Sequence, residues 1–508
     1  MTKIKILVII LVLAFALALT AACGRNNNDD GGDTPDPDNV ITDADTTTDT
    51  DTGTQDTTID TTPGGLGGFP PLTVDDVTVT FGTWYDFELA RYVADRFTDR
   101  HPNIQIEIVE TPSTVYHMDN LLTMAAAQSL PDTFAFTNLD VPVNNGWLLD
   151  FTDYWFNDPD STMLLDSLHD HVLIDGRAMR LPEAVFPQVI YLDRNIFNLL
   201  NEPMPPLDWV WEDMINLISH MSRVDMGIFG FDQLIGPATW APIVLNDALS
   251  EFGWDGQSYN MYEWARYMNL EAQWERLSYR ALSDTDAWEA ITGDRHLWPG
   301  SSGRVAMQMD AIWTFNSRYI REHYRERNIL MVPYAIPMGA NAQTNRRPAF
   351  IDFAGISATT NHPREAYEAL KWMTFHTDAW HYRNIITPQL VTPAGEQIFR
   401  TPNRFPLTND ETVWADFRTL FPMDEPAWDH FLAVSREPVP LGGQGILGFA
   451  EWYNSQHVYG NFNGVTGISN AIRGGVVDAF DVVQQMEETG RQYHERAIDN
   501  FRITFSTP

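Results

Sequence analysis

Few residues in this chain have types and spacings that support catalysis. The sequence holds one cysteine, Cys23, so neither an intrachain disulfide nor a cysteine metal site can form. His169 and His171 read as a loop in an acidic region, and His376 and His381 stand five residues apart, which does not align them on a helix face. There is no H-E-x-x-H, no G-x-S-x-G and no phosphate loop. We therefore predict no catalytic residue, no metal and no cofactor.

Aromatic and carboxylate side chains instead follow two predicted strands where those strands end. Residues 77–82 alternate apolar and polar and are bounded by acidic residues, which predicts a strand. A second strand is predicted over 133–136. In open α/β sheets, ligands bind beyond the carboxyl ends of the strands. The residues at these ends are Trp84, Tyr85, Asp86, Asn138 and Asp140.

The elements that must position these residues alternate between strand and helix. Residues 87–98 carry an amphipathic stripe, 104–109 alternate cleanly, and 118–129 read as a helix. This β-α-β-α-β order predicts an α/β fold with a parallel sheet and covering helices. Further helices are predicted over 195–200, 209–222, 364–375 and 476–501, and further strands over 329–336 and 349–358.

Composition and charge exclude several classes of protein. The chain has 508 residues, of which 44% are hydrophobic, and this is enough apolar material to exclude wholesale disorder. Its formal net charge of −37 argues against nucleic acid as a partner and against a polybasic grip on anionic membranes.

The N-terminus has the parts of a secretory signal. Two positive charges, Lys3 and Lys5, flank an apolar run over 4–19 that is shorter than a spanning helix needs. The run ends in a stretch that resembles a bacterial lipobox, which implies cleavage before Cys23 and its lipidation, for example with palmitate. We assign 1–22 to a lipoprotein signal peptide. Residues 23–72 are the lipidated cysteine and a disordered linker rich in Asp and Thr, whose composition cannot bury a core.

The rest of the chain resembles a known family in four stretches. It is similar to the extracellular solute-binding proteins of the carbohydrate-binding type (family 1, similar to maltose-binding proteins), the receptor lipoproteins of ABC importers. The stretches are the strand and helix from Val77 with Phe97 followed by 101–104, then 131–134 with 145–152, then 180–183 through 189–197 leading into 205–206 and 209–213, and finally 303–307 with Trp313.

The resemblance implies a two-lobed periplasmic-binding-protein-like fold with a hinge and an interlobe ligand cleft. Lobe one would hold 73–184 and 338–388, and lobe two would hold 185–337 and 389–508. The implied partners are a small-molecule carbohydrate, ABC permease subunits and the membrane, through the lipid on Cys23. The implied protein is a monomer on the extracytoplasmic face of a bacterial cell membrane.

The residues that the resemblance selects have the chemistry that binding a sugar requires. Sugars present flat C–H faces, on which aromatic rings stack, and a rim of hydroxyls, which carboxylates and amides hydrogen-bond. Trp313 matches the family's stacking tryptophan, and Trp452 matches a second stacking position. The remaining candidates are Phe136 after the third strand, Trp240 in the lobe-two cleft segment, Glu183 at the first hinge crossing, Asp310 and Asp352.

We therefore expect reversible capture of a sugar, most simply an oligosaccharide, for delivery to a permease, without enzymatic activity. Two alternatives remain open at this stage. One is a carbohydrate-active lipoprotein enzyme, a glycoside hydrolase or lyase, because paired carboxylates are too abundant here to decide. The other is a receptor that hands its ligand to a membrane kinase. Import and sensing both need two lobes that clamp the ligand between them, so the sequence does not separate them.

Overall fold

A computed structural model describes residues 70–111, 117–233, 236–316, 324–390, 402–421 and 426–506. The predicted signal peptide, the lipidation site Cys23 and the linker lie outside the described residues, apart from its last three positions. Within the described parts, no helix combines the length and the hydropathy that crossing a bilayer requires.

The first three strands form the predicted parallel unit. They are β1 (Val77–Thr83), β2 (Ile104–Glu110) and β3 (Thr133–Phe136), and β1 pairs in parallel with both of the others. The helix α1 (Phe87–Phe97) packs against β2 with its apolar stripe buried. The hydrophobic periodicity therefore predicted this part of the fold correctly.

Ten further strands and sixteen further α-helices are described. The strands are β4 (Leu173–Ile174), β5 (Arg177–Ala178), β6 (Leu181–Asp193), β7 (Phe229–Gln233), β8 (Val305–Ala311), β9 (Met331–Ala335), β10 (Arg346–Ile356), β11 (Glu437–Pro440), β12 (Val458–Tyr459) and β13 (Phe462–Asn463). The helices are α2 (His117–Ala126), α3 (Asp140–Asn144), α4 (Thr152–Asn157), α5 (Arg194–Leu200), α6 (Trp211–His220), α7 (Pro237–Leu245), α8 (Tyr262–Arg276), α9 (Asp286–Thr292), α10 (Trp313–Asn316), α11 (Pro363–Thr374), α12 (Thr377–Ile386), α13 (Glu411–Thr419), α14 (Pro426–Val434), α15 (Phe449–Tyr453), α16 (Gly464–Arg473) and α17 (Val483–Thr504).

One strand joins the two halves of the main sheet. The order of its strands is β2-β1-β3-β10-β6-β8-β7, with β11 beside β10 and β9 beside β6. Strand β6 is buried over its whole length and changes partners midway: residues up to Pro187 pair with β10, and residues from Gln188 pair with β8 and β9. The predicted lobe boundary at 184/185 falls inside this strand, and the division into lobes stays a prediction.

The chain after residue 388 packs on both halves of the molecule. Helix α13 lies against α12, which belongs to the first half, whereas α16 lies against α8 in the second. The C-terminal part therefore connects the halves again, independently of β6.

A buried ion-pair network holds α11 in place. Lys371 is almost completely buried, and its Nζ lies 3.1 Å from Asp158, 2.9 Å from Asp160 and 2.8 Å from Glu368. Burial opposes the charge of Lys371, but the carboxylates outweigh it and raise its pKa. Lys371 and its three carboxylate partners are therefore stable only together, because a buried charge is tolerated only when it is paired.

Removing this cation should destabilise the fold severely. We expect Lys371→Ala to lower the free energy of unfolding by about 3–5 kcal/mol, because buried carboxylates lose their counter-ion. Arg491→Ala removes a cation from the exposed face of α17 and should leave the free energy of unfolding nearly unchanged, because exposed ion pairs contribute little. Urea unfolding measures both values, and similar losses for the two variants would contradict this account.

Candidate functional site

The centre of the candidate site is a buried cation between two carboxylates. The guanidinium of Arg404 donates from Nη2 to Asp86 and from Nη1 to Glu183, the latter at 3.0 Å. The same group lies over the ring of Tyr85, with Cζ 4.4 Å from the ring centroid, and the Tyr85 hydroxyl donates to Glu183. Burial disfavours the charged form of Arg404. Its interactions with Tyr85, Glu183 and Asp86 favour the charged form more strongly, so the pKa of Arg404 is raised.

The loop after β1 brings Tyr85 and Asp86 to this cation. Asp86 adopts a left-handed backbone conformation, with φ at 52°, immediately before α1 begins. This turn directs the chain from strand to helix at the carboxyl end of β1. Trp84, in contrast, is buried against the ring of His117 with centroids 4.2 Å apart, so it supports the loop from within.

A third carboxyl, Asp352, lies beside this cluster. It accepts a hydrogen bond from Gln444 Nε2 at 3.2 Å. Burial and the nearby charge of Glu183 raise the pKa of Asp352 to about 8. At neutral pH this group is therefore largely protonated, next to a carboxylate that Arg404 neutralises.

An aromatic wall adjoins the polar cluster. Neighbouring ring centroids lie 6.2 Å apart for Tyr85 and Phe186, 5.3 Å apart for Phe186 and Trp313, and 5.3 Å apart for Trp313 and Phe350. The last pair is stacked at 26°. Tyr85 and Trp313 keep part of their surface exposed.

The strand register places the wall and several polar groups on one face of the sheet. Phe350 pairs with Phe186, and Gln188 pairs with Ala311, two residues before Trp313. Side chains two residues apart on a strand share a face, so Gln188 lies on the same face as Phe186 and Asp352 on the same face as Phe350. Both amide atoms of Gln188 are buried and lack a hydrogen-bond partner within the described residues.

Asp310 positions the side chain of Trp313 and is not itself part of the face. Its carboxylate accepts from the Ala311 backbone N–H at 2.8 Å, from Trp313 Nε1 at 3.1 Å and from Thr314 Oγ1 at 2.5 Å. Burial raises the pKa of Asp310 to about 6. The side chain thus fixes the start of α10 and the tilt of the indole.

The remaining predicted residues lie elsewhere. Phe136 is buried and packs on Phe134, and Asn138 accepts the backbone N–H of Asp140 at 2.9 Å. Asp140 is buried and accepts backbone N–H groups from Gly448, Ala450 and Glu451. Burial raises the pKa of Asp140.

Two predicted ligand contacts have no accessible surface. Trp240 is fully buried, with its ring centroid 4.9 Å from that of Trp211. Trp452 is also fully buried and donates from Nε1 to the Tyr459 hydroxyl at 2.9 Å. A ligand contact by either would need a rearrangement, so these two assignments stay predictions.

The sequence reasoning missed several residues of the site. Phe186 and Phe350 escaped notice because buried strands are rich in such residues. Arg404 has no local signal, since its partners are 221 and 318 residues away. The segment Gly443–Gly448 does carry a signal, since it reads G-x-G-x-x-G between β11 and α15.

The main sheet carries a face of aromatic and polar groups where its two halves meet, and the comparisons with known proteins identify the class of protein. The sequence model of the bacterial extracellular solute-binding proteins matches residues 84–379, and the chain belongs to this family. A search of curated proteins found no match. Within the described segments, no three His, Cys, Asp or Glu side chains are grouped so that they could hold a metal ion.

Solved structures with low sequence identity share the two-lobed α/β fold. An ABC substrate-binding protein from Listeria monocytogenes, in complex with cycloalternan, has a TM-score of 0.57 at 15% identity and covers 85% of this chain and 100% of its own. The sugar-binding protein MalE from Xanthomonas citri has 0.57 at 14%, with 85% and 100% covered. The GacH receptor of Streptomyces glaucescens, described with acarbose, has 0.56 at 12%, with 82% and 98% covered.

The raised pKa of Asp352 predicts a pH-dependent stability. The folded protein keeps a proton on Asp352 up to about pH 8, whereas the unfolded chain releases it near pH 4. The contribution of Asp352 to the free energy of unfolding is therefore complete below about pH 4. It decreases by up to about 1.4 kcal/mol per pH unit as the pH rises to about 8. The unfolding free energy of the wild type minus that of Asp352→Asn should therefore fall between pH 5 and pH 8, measured by urea unfolding. Asp225→Asn, at an exposed position, is the control, and a pH-independent difference for Asp352→Asn would contradict the prediction.

Proposed function

We propose that this chain is the solute-capturing component of an ABC importer and that its solute is a carbohydrate, in particular an oligosaccharide. The observation that carries this proposal is the aromatic wall beside the Asp86, Glu183, Arg404 and Asp352 cluster at the junction of the two sheet halves. The similar proteins described with cycloalternan and acarbose support the choice of ligand class.

The chemistry of the face matches the two surfaces of a sugar ring. The exposed parts of Tyr85 and Trp313 offer apolar platforms for C–H faces. The amide of Gln188, for which the described part of the chain provides no hydrogen-bond partner, and the carboxyl of Asp352 offer hydrogen-bonding groups for hydroxyls. Closure of the lobes around the sugar would remove water from both and strengthen these hydrogen bonds.

The family is extracellular, and we propose that a lipid on Cys23 holds the protein at the outer face of the cell membrane. The N-terminal signal and the lipobox-like stretch support this anchor. The acidic linker would then separate the folded part from the membrane surface by roughly 40 Å, on the flexible-chain estimate.

Trp313 provides the direct test of the site. A thermal-shift screen of the full chain against an oligosaccharide library, maltotetraose included, should identify a glycan that raises the melting temperature. At 100 times its dissociation constant, that glycan adds about 2.7 kcal/mol of stability. Trp313→Ala should weaken the binding of that glycan about 30-fold, because a central aromatic contact contributes about 2 kcal/mol.

Trp298→Ala is the matched control, since this tryptophan is also half-buried but precedes the turn before β8, away from the wall. It should leave the affinity unchanged. Equal affinity for the wild type and Trp313→Ala, measured by titration calorimetry, would contradict the site assignment.

One observation favours the enzymatic alternative. Burial and the nearby Glu183 raise the pKa of Asp352 to about 8, and an acid with a raised pKa beside a second carboxyl group is the arrangement of a glycosidase. Chromatography of each glycan after incubation separates the two functions. A binding protein returns the glycan intact, whereas an enzyme consumes it and loses this activity in Asp352→Asn.

A further inference from the structure

A cavity of about 680 Å³ lies beside α17, where this helix packs against the first half of the molecule. The cavity is open to solvent, and its lining comes from β4, the loop after α7, the segment after β11 and one face of α17. Sites for small molecules have volumes of about 300–1,000 Å³, so this cavity is large enough for a ligand. The four residues of the aromatic wall are not part of its lining.

A buried cation, Arg180, lines this cavity. Its side chain is held in place by two carbonyl groups, because Nε donates to His171 at 2.8 Å and Nη1 donates to Gln444 at 2.7 Å. The guanidinium also lies over the ring of Phe353, with Cζ 4.0 Å from the ring centroid. These contacts fix the plane of the guanidinium, whereas Nη2 makes no hydrogen bond to any residue that the structure describes.

The charge of Arg180 has no counter-ion among the described residues, since no carboxylate oxygen of theirs lies within 4.0 Å of it. The buried cations Lys371 and Arg404, in contrast, each contact at least two carboxylates. Burial lowers the pKa of Arg180 to about 9, so the group is still charged at neutral pH. A buried charge is costly unless it is paired, and an anion that reached Nη2 would therefore be stabilised.

The other charged groups of the cavity favour an anion with a single charge. Asp175 and Arg502 neutralise each other through two contacts of 2.7 Å and 2.9 Å. Burial lowers the pKa of His494, so this ring is uncharged at neutral pH. Glu495 and Asp499 belong to the face of α17 that lines the cavity. These two carboxylates would repel a doubly charged phosphate, whereas one carboxylate matches the one guanidinium that lacks a partner charge.

Gln444 connects this cavity to the candidate sugar site. Its carbonyl accepts from Arg180, and its side chain donates to Asp352 beside the aromatic wall. Both sites therefore contact the same residue. The exposed amide of Gln257 also lines the cavity and offers a hydrogen-bonding group for a hydroxyl.

We propose that this cavity binds the carboxylate of an acidic sugar, such as a uronate unit, and that Arg180 donates to this carboxylate from Nη2. The proposal rests on the proposed function for the choice of a sugar, and it deepens that function because it gives the solute one negative charge. Hydrogen bonds between two charged groups are about twice as strong as neutral ones, so this contact would select an acidic sugar over a neutral one.

Titration calorimetry of the full chain with glucuronate, glucose and glucose 6-phosphate tests the cavity, since these hexoses differ in the group at C6. Glucuronate should bind about tenfold more tightly than either of the others. Arg180→Met removes the charge and should weaken the binding of glucuronate about 30-fold, because a hydrogen bond to a charged group contributes about 2 kcal/mol.

Ile498→Trp is a second variant, which carries the test if Arg180→Met does not fold. It places a larger side chain in the lining of the cavity while Arg180 stays in place, and it should weaken glucuronate binding as strongly. Ile503→Trp is its matched control, since Ile503 lies on the same helix but is 71% exposed and outside the lining.

Arg347→Met is the matched control for Arg180→Met. Arg347 is also buried and also donates to backbone carbonyls, but it does not line this cavity. Both controls should leave the affinity for glucuronate unchanged, and circular dichroism checks that each variant folds.

Three outcomes would overturn the carboxylate site: equal affinity for glucuronate and glucose, tighter binding of glucose 6-phosphate than of glucuronate, or glucuronate binding that Ile498→Trp leaves unchanged. A chain that binds neutral oligosaccharides in the thermal-shift screen but does not bind glucuronate contradicts this site alone. A chain that binds neither contradicts the proposed function as well, so the two failures are distinguishable.

Discussion

The structure depends on a single buried strand that serves two sheet halves. All thirteen residues of β6 are buried, and the strand exchanges β10 for β8 and β9 between Pro187 and Gln188. Proline has no backbone N–H to contribute to a ladder, so Pro187 is a natural place for one set of pairings to end and another to begin. Because the halves share this strand, they cannot separate, and they can move only by bending or twisting near it.

The binding face follows from this constraint. Phe186 and Gln188 stand on either side of the exchange point and project to the same face, so an aromatic ring from one half and an amide from the other become neighbours. Arg404 then joins the first half to the C-terminal part of the chain. A buried guanidinium needs its counter-ions, so Arg404, Asp86 and Glu183 are stable only as a unit.

The periodicity of apolar residues predicted the helices and strands well, because strand alternation and amphipathic stripes are local properties of the sequence. Sequence reasoning also selected Tyr85 and Asp86 by the rule for strand ends and Trp313 by the family resemblance, with Asp352 as a further candidate. It could not separate Trp313, which keeps some surface, from Trp240 and Trp452, which keep none, because all three lie in equally apolar stretches. The role of Arg404 could not be predicted from its neighbours in the sequence, because its partners Glu183 and Asp86 lie more than two hundred positions away.

The segment Gly443–Gly448 illustrates how far a local motif determines chemistry. The spacing G-x-G-x-x-G fixes a backbone path that exposes N–H groups to an anion, and elsewhere such turns hold phosphates. Here the backbone N–H groups of Gly442 and Gly443 donate to the protein's own Glu251 and that of Gly448 to Asp140, so tertiary structure decides what the motif binds. A segment that engages polar groups near the binding face competes with any solute that requires them. The affinity for that solute is then the difference between the contacts that it makes and the contacts that it displaces.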